Sequence, residues 1–147
     1  SAMSYIDTRK ALELRLKNSW GSTTVIKWEN VRFDPPVDVN KNPRPYIACL
    51  IKNGRGHDIT LGSDNPWTRW EGMVIVQIFV PEFIGTKLAT QYAETIKNIY
   101  LALPRNIQYL NSGIIRLYAP YATEAGVVGG YYVVNVTTPY RRDAQLP

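Results

Sequence analysis

Residues 69–80, RWEGMVIVQIFV, constrain this chain more than any other stretch. Val74, Val76, Ile78 and Val80 alternate with Met73, Ile75, Gln77 and Phe79, and only Gln77 breaks the apolar character of the two sets. Side chains alternate across a strand, so a strand apolar in both registers demands cover on both faces. The segment therefore reads as a strand buried on both sides except around Gln77. Tyr46 to Lys52 (YIACLIK) makes the same demand and reads as a second central strand. Cys49 within it reads as a small buried hydrophobe rather than a nucleophile.

The remaining elements follow from periodicity. Residues 4–18 read as a helix with Ser4 as N-cap. Tyr5, Ile6, Leu12 and Leu16 form its apolar stripe, and Asn18 and Gly21 give the stop. Residues 87–103 read as a second helix, with Leu88, Tyr92, Ile96, Ile99 and Leu103 inward, Thr86 as cap and Pro104 as terminator. Thr23 to Phe33 reads as a strand with an irregularity at Glu29-Asn30. Ile107 to Leu110 reads as a strand fragment, and Ile114 to Tyr121 and Tyr131 to Tyr140 as strands joined through a glycine-rich turn at 123–130. Asp34 to Pro45 carries four prolines in twelve residues and reads as a stiff, extended connection. Asn53 to Trp67, with its glycines and Asn-Gly pair, reads as a long loop. The expected fold is α+β in the order α-β-β-β-α-β-β: a mixed or antiparallel sheet of about five strands with two main helices packed on one face. With 147 residues, positions 1–147 form a single domain. Ser1 and Ala2 before Met3 read as an expression scar, and nothing at this end has the pattern of a signal peptide.

Chemistry is limited by subtraction. One Cys and one His leave no disulfide within the chain and no His/Cys zinc set. His57 is the only histidine base available to a nucleophile, and no G-x-S-x-G elbow surrounds any serine. The 12 acidic residues are scattered, so an enzyme is not expected, and neither a cofactor nor a metal. Gly85-Thr86-Lys87 departs from a P-loop, because Thr86 separates the glycine from the lysine. No apolar run approaches the ~20 residues of a membrane span, so the chain reads as soluble. The formal charge of +5 comes from 17 Lys and Arg dispersed along the sequence rather than from a stripe. Ten Tyr and four Trp are equally dispersed, a distribution that suits core edges and subunit contacts better than a base-stacking platform.

Glu29-Asn30-Val31-Arg32-Phe33-Asp34-Pro35-Pro36 follows a helix containing Ala11-Leu12-Glu13, and Tyr46 then opens a strand. Gly72 lies within the apolar strand, Pro81 and Gly85 precede the second helix, and Gly130-Tyr131-Tyr132 opens the last strand. Over almost the whole chain this order resembles the tail-terminator-like proteins (minor tail protein U-like) of long-tailed bacteriophages. The resemblance implies a structural virion protein that assembles with itself into a closed ring, typically a hexamer, at the head-proximal end of the tail. Such a ring stops growth of the tail tube and offers a docking face for head-completion or neck proteins. The partners implied are further copies of the chain, the tail tube protein and the neck protein. DNA would pass through the lumen without specific recognition, and the protein would be made in the host bacterial cytoplasm. Alternatives are another head–tail connector component or a small basic nucleic-acid-binding module. Long ordered loops tend to be functional. Around the two loops, Arg44, Arg55, His57, Asp58, Trp67 and Arg69 are therefore the candidate subunit-interface or lumen residues.

Overall fold

Two helices lie against one face of a seven-stranded mixed sheet. The computed structural model describes residues 5–62, 64–109 and 113–145. Ser1-Ala2, the expected cap Ser4 and Leu110 lie outside these residues, as does the side chain of Tyr5 from the expected stripe. The elements are α1 (Tyr5–Trp20), β1 (Ile26–Trp28), β2 (Tyr46–Asp58), β3 (Trp67–Pro81), α2 (Lys87–Leu101), β4 (Asn106–Tyr109), β5 (Gly113–Leu117), β6 (Tyr121–Val128) and β7 (Tyr131–Gln145). The strands run β1-β2-β3-β7-β5-β4, with β6 beside the first half of β7 and β5 beside its second half. Only β1 is parallel to its neighbour. No helix of the described residues is long and apolar enough to cross a membrane.

In α1 the inward positions are Thr8, Leu12, Leu16 and Trp20, all nearly inaccessible. Ile6, expected on this stripe, is 78% exposed. Two residues on from any helical position the direction turns by roughly 200°, so Ile6 points away from the line through Thr8 and Leu12. The helix continues past Asn18 to Trp20. Gly21, at φ 61°, then donates its N–H to the Lys17 carbonyl, a left-handed cap that glycine adopts without strain. Ala89, Ala93, Ile96, Ile99 and Tyr100 are the buried positions of α2, while Leu103 falls beyond its end and is 87% exposed. Thr86 holds the N-cap position but makes no side-chain cap bond; its carbonyl accepts the Thr90 N–H. The other end of α2 is closed from α1. Arg15 donates to the carbonyls of Ile99, Ala102 and Pro104, placing a cation where the helix dipole is negative.

Three departures from expectation have local causes. The strand expected over 23–33 is only Ile26–Trp28, because Asn30 turns into the left-handed region at φ 55° and the Glu29 carboxylate, not a backbone carbonyl, accepts the Ile51 N–H. The proline-rich segment doubles back instead of extending. Val37 bridges Pro43, and the Asp38 carboxylate accepts the N–H groups of Asn40 and Asn42. The expected strand 114–121 is divided at Ala119-Pro120, and the glycine-rich stretch after it is itself strand β6, bulged at Gly126. The turn proper is Gly129-Gly130, with φ 56° and 82°, a pair suited to a tight hairpin. With β6 added and the fragment expected at 107–110 formed as β4, the sheet has seven strands where about five were expected.

Candidate functional site

β3 is where expectation and structure part most clearly. Val74, Val76, Ile78 and Val80 are fully buried against α1 and α2. In the alternate set Ile75, Gln77 and Phe79 are only part-buried and Met73 is exposed, so the strand is covered on one face and not on two. The reason is the number of layers: both helices contribute their apolar residues to the core on the Val74–Val80 side.

The register lays out the opposite face row by row. Phe79 lies between Tyr46 and Val133, Gln77 between Ala48 and Asn135, Ile75 between Leu50 and Thr137, and Met73 between Lys52 and Pro139. The Phe79 end is roofed by Phe33 from the segment after β1: Tyr46 stacks on Phe79 at 4.5 Å and Phe33 meets Tyr46 at 4.9 Å. Further along, the small residues Ala48 and Thr137 are shielded by their neighbours, but Leu50, Ile75, Gln77 and Asn135 are part-exposed. Met73 is 37% exposed and Tyr121, across from Thr137, is 52% exposed. Antiparallel sheets with a solvated face normally carry polar residues there; this one is largely apolar.

The segment 53–67, expected as a loop, is mostly strand. β2 continues to Asp58, and only 59–66 connects it to β3. A bulge sets Gly54 and Arg55 opposite Glu71 alone. The glycines here make room rather than turns. A Cβ on Gly56 would collide with the Trp70 indole, one on Gly54 with the Glu71 carbonyl, and one on Gly72 with the Tyr140 hydroxyl and the Lys52 carbonyl. Arg142, 3% exposed, sits 4.3 Å above the Trp70 ring and donates to the Thr8 hydroxyl. A hollow of about 980 Å3 opens over the bulge, lined by Lys52, Arg55, Met73, Tyr118, Pro139 and Tyr140 among others.

Five of the six candidate residues fall on this hairpin. His57 pairs across from Arg69, and Asp58 accepts a bond from the Thr68 hydroxyl at 3.1 Å. Arg69 makes two bonds to Asp143 of its own chain, at 2.8 and 3.1 Å, and Arg141 approaches the same carboxylate at 3.5 Å. Trp67 opens β3, 37% exposed, with its N–H on the Thr60 hydroxyl. Arg55 stands exposed in the bulge. Arg44 lies apart, in the proline-rich segment, its N–H on the Pro36 carbonyl. Cys49 is buried, and desolvation pushes its thiol up to about 12, which leaves it protonated and unreactive. No group of three or more His, Cys, Asp or Glu side chains that could hold a metal comes together among the described residues.

No family model matches the chain, and no curated protein matches it. Among solved structures 16 chains match. One of them superposes over 99% of this chain and 99% of its own length with a TM-score of 0.68, at 18% sequence identity. At that identity the likeness establishes the fold alone.

Proposed function

We propose that the chain is a structural virion subunit that closes into a ring and caps the head-proximal end of a bacteriophage tail tube. The observation that carries this reading is the apolar sheet face around Leu50, Ile75 and Met73, which this chain's own helices leave uncovered. A face of that composition is stable in water when another copy lies on it. The resemblance of residues 29–36, of the strand carrying Gly72 and of the closing Gly130-Tyr131-Tyr132 to tail-terminator-like proteins supplies the identity of the assembly. The nucleic-acid-binding alternative draws on Arg69, Arg116 and Arg141 in neighbouring strands, but Asp143 engages Arg69 and Arg141, and Glu71 lies opposite Arg141. That leaves a largely neutralised patch where a phosphate-binding stripe would need free charge.

The test is to add the purified protein to growing tail tubes and to image the tube ends. The expected result is a ring on one end only and tubes that stop lengthening. Tubes that grow to the same lengths with and without the protein would refute the proposal. A ring at the far side of a neck protein, away from the tube, would point to another connector role.

A further inference from the structure

The turn between β3 and α2 holds two bulky apolar residues out in solvent. Phe83 is 95% exposed and Ile84 is 54% exposed. Phe83 also has φ 70°, a left-handed backbone that glycine or asparagine adopts easily and a bulky side chain does not. Exposure and strain at one residue are both unfavourable in the isolated chain, and strained positions of this kind cluster at functional sites. The turn is held in place: the Glu82 N–H donates to the Gly130 carbonyl, which ties it to the β6–β7 turn beside Val127 and Val128, 59% and 58% exposed. The result is an apolar knob with an acidic shoulder, Glu82.

The hollow over the β2 bulge has the complementary character. Met73, Tyr118, Pro139 and Tyr140 give it an apolar floor, and Lys52 and Arg55, set against the single carboxylate of Glu71, leave its rim net basic. Met73 and Pro139 belong to the uncovered face, so the hollow continues the proposed assembly surface. Phe83 cannot reach its own hollow. Pro81 lies eight residue steps along β3 from Met73, about 27 Å at the usual rise. Knob and hollow therefore occupy different places on one chain, the requirement for a head-to-tail contact that propagates and can close into a ring.

We infer that Phe83 of one copy seats in the hollow over the β2 bulge of the next copy, with Glu82 facing Lys52 and Arg55. The inference rests on the ring reading and specifies which surfaces make the ring. An exposed aromatic that becomes buried at the centre of a contact is the usual form of an interface hot spot, whose loss weakens association about thirtyfold or more.

The experiment uses the full chain with Phe83→Cys and Met73→Cys together, oxidised at assembling concentrations, while Cys49 stays buried and silent. The expected result is a ladder of covalent multimers ending at the ring size, and no ladder from either single variant. In parallel, Phe83→Ser is expected to raise the concentration for half-assembly about thirtyfold with an unchanged melting curve. Glu82→Lys is expected to weaken assembly, and Lys52→Glu added to it to restore part of the loss. A wild-type ring that persists in Phe83→Ser, or that yields no ladder from the double cysteine, overturns this inference and leaves the ring reading standing. The inference is equally overturned if Phe83→Ser forms rings that fail only to bind tubes, because the knob then docks on the tube. A wild-type chain that stays monomeric even on tail tubes overturns the ring reading and this inference with it.

Discussion

Glu29 ties α1, β1 and β2 together, and its removal has a calculable consequence. One carboxylate oxygen accepts the Arg9 guanidinium at 2.9 Å and the Ile51 N–H at 2.6 Å. Burial works to raise the Glu29 pKa, but the Ile51 N–H and Arg9 outweigh it and hold the carboxyl below its ordinary range. A carboxyl depressed in the folded state contributes stability above its unfolded value, about 4.3, and that contribution is lost as pH falls through the folded value. The Arg9 and Glu29 side chains are 37% and 29% exposed, so the ion pair itself is worth about 1 kcal/mol at most. The Ile51 N–H matters more, since Ile51 is 4% exposed and an unsatisfied buried donor costs about 1–3 kcal/mol. Glu29→Gln keeps an acceptor and loses the charge, so we expect a loss of about 1 kcal/mol at pH 7, or roughly 2–4 °C in Tm. Glu29→Ala leaves the donor without its partner and is expected to cost about 2–3 kcal/mol. Urea unfolding followed by circular dichroism from pH 7 to pH 3 measures both. The gap between wild type and Glu29→Gln closes as pH falls through the folded pKa, while most of the Glu29→Ala deficit remains. A Glu29→Gln protein as stable as wild type at pH 7, or a gap unchanged at pH 3, would refute the reasoning.

Three further outcomes follow from packing. Gly72→Ala places a Cβ 2.6 Å from the Tyr140 hydroxyl and 2.5 Å from the Lys52 carbonyl, and because that carbonyl is backbone, β2 and β3 must move apart locally. Urea unfolding should show a loss of about 1–3 kcal/mol, and an unchanged midpoint would contradict the close approach. Arg15→Met keeps the apolar stem and removes the cation from three carbonyls at the end of α2. A loss of about 2 kcal/mol with faster amide exchange in the last turn of α2 is expected, and unaltered exchange there would count against the cap. Cys49 should resist a thiol reagent at pH 8 in the native chain and react in urea; rapid native labelling would place it outside the core.

Both helices are legible from residue spacing because their faces are set by neighbours three or four positions away. Of the two misplaced residues, Ile6 is two positions from Thr8 and so falls off the buried line of α1, and Leu103 lies beyond the end of α2. β3 declares two apolar faces, and the two helices cover only one, a fact set by the number of layers and not by anything local to the strand. The glycines at 54 and 56 read as turn residues by local chemistry. Trp70 and Glu71, which make those glycines necessary, come some fifteen residues later and become neighbours only through pairing. The same non-locality hides the Arg142–Trp70 contact and the part of Glu29 in ending β1. Five candidate residues come together because the hairpin is nearly continuous in sequence, whereas nothing local indicates that the proline-rich segment bends back and carries Arg44 away. Phe83 does leave a trace in the sequence: two bulky apolar residues between Pro81 and Gly85, where a turn needs none.

β7 pairs with β3 along fifteen residues, with β6 along its first half and with β5 along its second. All three partners precede it in the chain. During synthesis, therefore, β3 emerges with one edge unfilled, β5 and β6 emerge with no strand to join them to it, and no subset of earlier strands reproduces the sheet. The fold must complete in one late, cooperative step after residue 145 has been made, through pairings distant in sequence, which are intrinsically slow to form. Until that step the apolar face and the Phe83 turn have no fixed relation to each other, so the surfaces proposed for assembly come into being together with the finished subunit. An order is thereby built into the chain: the sheet closes first, and only then do these surfaces exist.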